Sequence, residues 1–170
     1  MGHSRRVLVF GLIALASIAP QLEAGVSVSI FSGVWIGNGT VRPHGFDDQV
    51  AVRCKVTGEL DSQHQAVFAG RCATTEGAGE FRMIIAQDAK GNTFAAKLLS
   101  GENTLDFKGK AVENTILLDQ QTPSESLGRM LTSRITLETG TKGVIAFTNE
   151  VRDVESGETK RAFVVEFIRR

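Results

Sequence analysis

The dominant pattern along the chain is an alternation of apolar and polar residues, which is typical of half-buried β-strands. It is clear in Gln65–Cys72, Phe81–Ile85, Leu131–Leu137 and Phe163–Phe167, with short glycine-containing turns between such segments. Together with an opening segment at Phe31–Val41, the pattern predicts about nine or ten strands at a spacing of about 8–12 residues. No helical period of useful length competes. The pattern therefore predicts an all-β, antiparallel barrel or sandwich.

One segment interrupts the strands. Thr122, Pro123 and Glu125 form a capping-box pattern, with a Thr cap, a Pro at the first helical position and a Glu three residues after the cap. This pattern predicts a short helix of about two turns before the strand pattern resumes at Leu131. The alternative interpretation is a plain turn that contains Pro123.

The N-terminus has the pattern of a signal peptide. Arg5 and Arg6 precede the apolar run Val7–Ala19, which is too short to cross a hydrocarbon core that needs about 20 residues. The small residue Ala24 predicts that the signal peptide is cleaved after this position. We expect residues 1–24 to be the signal peptide and residues 25–170 to form one β-barrel domain, periplasmic or secreted, with no transmembrane span in the mature chain.

Charge excludes some classes of function. The chain carries 19 basic and 19 acidic residues, and removal of Arg5, Arg6 and Glu23 leaves one excess negative charge. Near-neutrality argues against a nucleic-acid partner and against electrostatic capture by anionic lipid.

The two cysteines, Cys54 and Cys72, are the only pair that the chain can form. In the predicted strands both lie on the apolar face, and an oxidising compartment would let them form a disulfide. Closing a loop of about 18 residues stabilises a fold by about 3 kcal/mol in the chain-entropy model. The alternative, a two-thiolate metal or redox site, lacks the Cys-x-x-Cys spacing.

The only Trp of the chain lies in the first predicted strand, between Gly33 and Gly37. If the first and last strands pair to close a barrel, Arg169 at the end of the last strand can stack on Trp35. Such a cation–π contact is worth about 0.5–2 kcal/mol.

At these residues the chain resembles the calycins, the superfamily of lipocalins, fatty-acid-binding proteins, avidins and bacterial metalloprotease inhibitors. A Gly-x-Trp in strand one, here Gly33 and Trp35, and an Arg late in the last strand, here Arg169, carry the resemblance. It implies an up-and-down antiparallel barrel of about 8–10 strands, with these three residues in structural roles. The Ser32–Trp35 opening and the early cysteine pair are also similar to the protease inhibitors and to small periplasmic proteins of Gram-negative bacteria.

Catalytic motifs are weak, and we expect neither an enzyme nor a cofactor or bound metal. The chain has no Gly-x-Ser-x-Gly turn, and its cysteines are expected to be paired. His44 lies close to Asp47 and Asp48, but a solvated loop commonly has this composition. Glu76, Glu80 and Asp88 show no spacing that favours glycoside hydrolysis.

Two hypotheses for function remain. In the first, the barrel binds a small apolar or lipid-like ligand; the alternative is that its aromatic residues simply fill a closed core. In the second, the protein is an interaction module, such as a periplasmic protease inhibitor or an envelope-integrity factor, with Gly25–Ile30 as an inserting strand or as an extension of strand one. The residues expected to line a ligand site are Trp35, Phe68, Phe81, Phe94 and Phe107.

Overall fold

A computed structural model describes residues 25–170 of the chain. The predicted signal peptide and its cleavage after Ala24 lie outside the described residues. Within them, ten antiparallel strands close into a barrel, and one short extra strand pairs at its margin. The all-β class and the predicted number of strands are confirmed.

The strands follow chain order around the barrel, except that the short β8 projects from β9. The barrel closes because β1 pairs with β11 and β9 pairs with both β7 and β10. The elements are a 3-10 helix (Val28–Phe31), β1 (Gly33–Val41), β2 (Val50–Ser62), β3 (Gln65–Ala73), β4 (Ala78–Gln87), β5 (Thr93–Ser100), β6 (Asn103–Val112), β7 (Thr115–Gln120), β8 (Ser124–Ser126), β9 (Arg129–Glu138), β10 (Val144–Asp153) and β11 (Thr159–Arg169).

The prediction of a short helix that starts at Thr122–Glu125 is wrong. Ser124–Ser126 instead forms β8, which pairs with β9 in a hairpin. Leu127 and Gly128 make the turn, with φ angles of 49° and 72°, and two consecutive positive φ values are what a tight two-residue hairpin requires. Cross-strand pairing with β9 therefore prevails over the local capping signal.

The N-terminal segment Gly25–Ile30 is not a strand, which corrects both interpretations of its alternation. Val28–Phe31 forms a 3-10 helix with Ser27 as its N-cap, and β1 begins only at Gly33. Val28 and Phe31 are fully buried, and Val26 nearly so. We call residues 26–31 the plug, because they cover one end of the barrel, and we call that end the closed end.

Polar contacts hold the plug in place. The indole Nε1 of Trp35 donates to the carbonyl of Phe31 at 2.9 Å. Gln87 accepts from the Val28 N–H at 3.2 Å and donates to the Val26 carbonyl at 2.6 Å. A methyl group at Gly58 would overlap the Phe31 carbonyl, so a glycine is needed where the plug meets β2.

The predicted contact between the first and last strands is confirmed. Trp35 pairs in register with Arg169, and the guanidinium carbon lies 4.7 Å from the centroid of the indole ring. Arg169 also donates to the Ile30 carbonyl, so the same side chain binds the plug. It therefore links three elements at the closed end.

The predicted disulfide is confirmed as well. Cys54 on β2 lies directly opposite Cys72 on β3, and their Cα atoms are 4.0 Å apart. The bond joins two strands that are already neighbours. None of the helical structure in residues 25–170 is long and apolar enough to cross a membrane.

Candidate ligand cavity

The interior of the barrel is filled at the closed end and hollow at the other. A cavity of about 560 Å³ lies at the end where β1 runs into β2 and β3 runs into β4. We call this end the mouth. A volume of this size lies within the range of about 300–1,000 Å³ typical of small-molecule sites.

Side chains from seven barrel strands form an apolar wall. Phe147 of β10 and Phe163 of β11 pack edge to face, with ring centroids 5.4 Å apart. Cys72, one half of the disulfide, contributes its buried face to the same wall. The other apolar wall residues are Val41, Val52, Phe81 and Leu98.

An aromatic cluster fills the barrel between the cavity and the closed end. Its centre is Phe68, whose ring lies 5.3 Å from Phe167, 5.6 Å from Phe31 and 6.2 Å from Trp35, in edge-to-face arrangements. Phe81 lies 6.3 Å from Phe68 and also lines the cavity. The plug contributes Phe31 to this cluster, which explains why the packed half of the barrel lies at the closed end.

One amide stands out in the apolar wall. Asn149 of β10 lines the cavity on the mouth side of Phe147. Its Oδ1 atom is buried and has no hydrogen-bond partner. An atom buried to this degree is not in contact with the open cavity, so this acceptor belongs to the packed wall.

The mouth itself is polar. Thr74 and Ser100 contribute hydroxyl groups, and the ionisable residues among those that line the cavity are His44, Glu76 and Glu80. No Lys or Arg in the described part of the chain lines it. The cavity thus combines an apolar interior with a polar lining at its mouth.

The structure separates the five residues that the sequence predicts as a ligand site. Phe81 lines the cavity, whereas Trp35, Phe68, Phe94 and Phe107 are buried outside it and fill the barrel. The sequence prediction missed Phe147, Phe163 and Asn149. Their alternation on β10 and β11 places them inside the barrel, but nothing in a single sequence says which end stays hollow.

Three loops at the mouth are tied together by Arg129. Its guanidinium lies 4.8 Å from the centroid of the Phe46 ring and 3.5 Å from the carboxylate of Asp153. Asp153 also accepts from the N–H groups of Ser156 at 3.0 Å and Glu155 at 2.9 Å. The hydrogen bond from the Ser156 N–H is the main reason that the pKa of Asp153 is lowered.

The residues considered for catalysis are only partly brought together, since His44, Glu76 and Glu80 line the mouth of the cavity and Asp88 does not. His44 and Asp47 lie 3.8 Å apart, but both side chains are about half exposed. Asp88 caps the β4–β5 turn at the closed end and is far along β4 from Glu76 and Glu80 at the mouth. Within residues 25–170 no group of three or more His, Cys, Asp or Glu could hold a metal ion.

Comparison with known proteins assigns the chain to no family. No protein-family model matches the chain, and no curated protein matches it significantly. The calycin resemblance therefore rests on the closed barrel and on the arrangement of Gly33, Trp35 and Arg169. The barrel itself is the part of the resemblance that the structure bears out.

Proposed function

We propose that this protein is an exported, non-enzymatic β-barrel of the bacterial envelope that binds a small apolar or lipid-like molecule inside the barrel. The observation that carries the proposal is the cavity of about 560 Å³ with an apolar wall, open at one end of an otherwise packed barrel. Burying apolar ligand surface there contributes about 25 cal/mol per Å².

The construction of the barrel favours a preformed site. The wall residues lie on strands whose backbone is paired on both sides, and the disulfide joins two of those strands beside the cavity. A packed aromatic cluster fills the barrel between the cavity and the closed end. A site held in this way needs little reorganisation on binding, which lowers the entropic cost of association.

The disulfide also supports export. Disulfides persist in oxidising compartments such as the bacterial periplasm and are rare in the cytosol. Together with the signal-peptide pattern of the sequence, the Cys54–Cys72 bond favours a periplasmic or secreted protein. Small apolar molecules in such a compartment need a carrier, because water solvates them poorly.

A substitution that fills the cavity tests the proposal. Val41→Trp places an indole in the cavity, while Val34→Trp on the same strand places one on the outside, where Val34 is 41% exposed. We expect wild type and Val34→Trp to bind the neutral apolar dye N-phenyl-1-naphthylamine equally. Val41→Trp should bind it at least about tenfold more weakly, since the indole occupies the space that the ligand needs.

Unfolding curves of both variants show whether the barrel is intact. Equal dye binding by both Trp variants would contradict the site. Native mass spectrometry of protein taken from its own cells should show a retained small molecule in wild type. A chain that binds no dye and carries no small molecule would overturn the proposed function.

The interaction-module hypothesis relied on Gly25–Ile30 as a strand that inserts into a partner. Val26, Val28 and Phe31 are buried in the plug, so that segment does not project from the barrel. No observation on the exposed loops favours a protease or an envelope protein as partner over the ligand in the cavity.

A further inference from the structure

The cavity reaches only part of the way into the barrel. Leu98 and Ser100 line it on β5, whereas Ala96, the next inward-facing residue, is buried and does not. On β10 the change comes between Phe147, which lines the cavity, and the buried Ile145. The inward-facing wall positions of one strand thus span about two to four residues, or about 7–13 Å at about 3.3 Å per residue. A bound molecule therefore has a depth of about 10 Å before it meets packed side chains.

The cavity is wide for this depth. It is lined both by Gly79 on β4 and by Phe147 on β10, and these two strands lie opposite each other in the closed barrel. A volume of about 560 Å³ over a depth of about 10 Å corresponds to a mean cross-section of about 56 Å². A single extended alkyl chain fills only part of such a cross-section, and the wall side chains that it does not reach lack dispersion contacts.

Gly79 contributes to this width. It lies directly opposite Cys72, so the two residues share the face of the sheet that borders the cavity. A methyl group at Gly58, Gly70 or Gly109 would overlap a backbone carbonyl, whereas one at Gly79 would meet no atom within 4 Å. The φ angle of Gly79 is not positive either, so its backbone accepts any side chain. A glycine inside a strand costs stability, and where neither crowding nor backbone conformation requires it, close approach of a ligand gives a reason for it.

From these observations we infer that the ligand is a compact molecule built on fused rings, rather than a long single-chain lipid, and that Gly79 determines this preference. The inference rests on the proposed function and names its ligand class. A ring system fills the width between Gly79 and Phe147 within the available depth. It also has few rotatable bonds to immobilise, which lowers the cost of binding relative to a flexible chain.

Two alcohols of different shape test the inference. Decahydro-2-naphthol and 1-decanol have the same number of carbons and one hydroxyl group each, and both are uncharged and saturated. We would measure both association constants by calorimetry and divide each by the octanol–water partition coefficient of the compound, which corrects for hydrophobicity. The corrected constant of decahydro-2-naphthol should be at least about tenfold the larger.

Linear alcohols from hexanol to dodecanol test the depth. Each carbon of an extended chain advances about 1.2 Å, a third of the length of an extended residue, so about eight carbons reach the packed side chains. Each buried methylene raises the affinity about fourfold. We expect this rise up to about octanol and a plateau beyond it, because further carbons remain in the mouth.

Substitution of Gly79 assigns the preference to the width of the cavity. Gly79→Leu should weaken binding of decahydro-2-naphthol at least about tenfold and that of decanol less than about threefold, since one chain still fits beside the new side chain. Gly79→Ala should change both affinities in the same direction by less. The matched control is Ala73→Leu, which adds the larger side chain on the exposed face of β3. It should keep the wild-type affinities, and unfolding curves of all three variants show whether the barrel is intact.

The outcomes separate this inference from the proposed function. Equal or larger corrected affinity for decanol, or an undiminished rise in affinity up to dodecanol, would overturn the compact ligand and leave an apolar site in place. Unchanged affinities in both Gly79 variants, or equal losses for the two alcohols, would overturn the role of Gly79. If neither alcohol binds and the neutral dye does not bind either, the proposed function itself fails.

Discussion

The two ends of this barrel are built from the same strands and are used in different ways. At the closed end, Trp35, Phe68 and Phe167 pack with Phe31 of the plug in one aromatic cluster. At the mouth, comparable aromatic residues, Phe147 and Phe163, face a cavity of about 560 Å³. The difference lies in what fills the interior, because only one end receives a segment from outside the sheet.

This comparison shows how a barrel can combine stability with a binding site. A preformed cavity reduces the number of packing contacts, because side chains that line it lack the dispersion contacts of a filled core. The plug, the indole hydrogen bond and the stacked arginine concentrate packing at the closed end. That concentration of packing at the closed end leaves the mouth free to keep an open cavity.

The largest expected effect comes from the closed end. Trp35→Ala should destabilise the protein by about 3–5 kcal/mol, because it leaves a cavity in a packed aromatic cluster and removes the donor to the Phe31 carbonyl. Phe147→Ala at the mouth should cost less than that, since part of its ring borders the cavity and has fewer packing contacts to lose. Denaturant unfolding of both variants measures the difference, and equal losses would mean that the two ends are packed alike.

Loss of the disulfide should have the next largest effect. The double substitution Cys54→Ala with Cys72→Ala should lower stability by about 3 kcal/mol, because it frees a loop of 18 residues in the unfolded chain. Since Cys72 lines the cavity, affinity for the neutral dye should fall as well, while the near-ultraviolet circular dichroism of Trp35 at the closed end should stay as in wild type. A changed Trp35 signal would show that the two halves are not separable in this way.

The smallest effect concerns acid. Hydrogen bonding from the Ser156 N–H lowers the pKa of Asp153 at the mouth, and hydrogen bonding from the Thr93 N–H lowers that of Asp88 at the closed end. Each carboxylate therefore stabilises its turn above the unfolded-state pKa of about 3.9, and this contribution is lost as the pH falls through the lower folded pKa. Both turns should loosen only in acid.

Amide chemical shifts followed against pH can separate the two turns. The Ser156 amide should titrate with a midpoint below about pH 3.9, and Asp153→Asn should abolish that titration while leaving the Thr93 amide unchanged. Asp88→Asn should do the reverse. A Ser156 titration that survives in Asp153→Asn would show that another group controls the turn at the mouth.

Several features were predictable because they depend on local pattern or on simple pairing. Alternation identified the barrel strands, and the two cysteines could pair only with each other. The stacking of Arg169 on Trp35 followed from the pairing of the first and last strands. These predictions succeeded because side chains on a strand point alternately to the two faces of a sheet.

The predictions that failed concern segments whose structure is set by distant partners. Residues 122–125 carry a helix-start pattern, yet β9 draws Ser124–Ser126 into a hairpin. Apolar and polar side chains alternate along residues 25–30 as they do in a strand. Val28 is nevertheless buried at the closed end, and its N–H donates a hydrogen bond to Gln87, 59 positions later in the sequence. In both cases tertiary contacts outweigh a weak local preference.

The sequence by itself determined that the chain forms antiparallel strands, that Cys54 and Cys72 can join, and that an arginine can reach the single Trp, because these follow from the period of the side chains and from the residue types available. Only the tertiary structure decided which end of the barrel is filled and which aromatic residues face the cavity. The physical reason is that closing the barrel brings loops from five separate parts of the chain to the mouth.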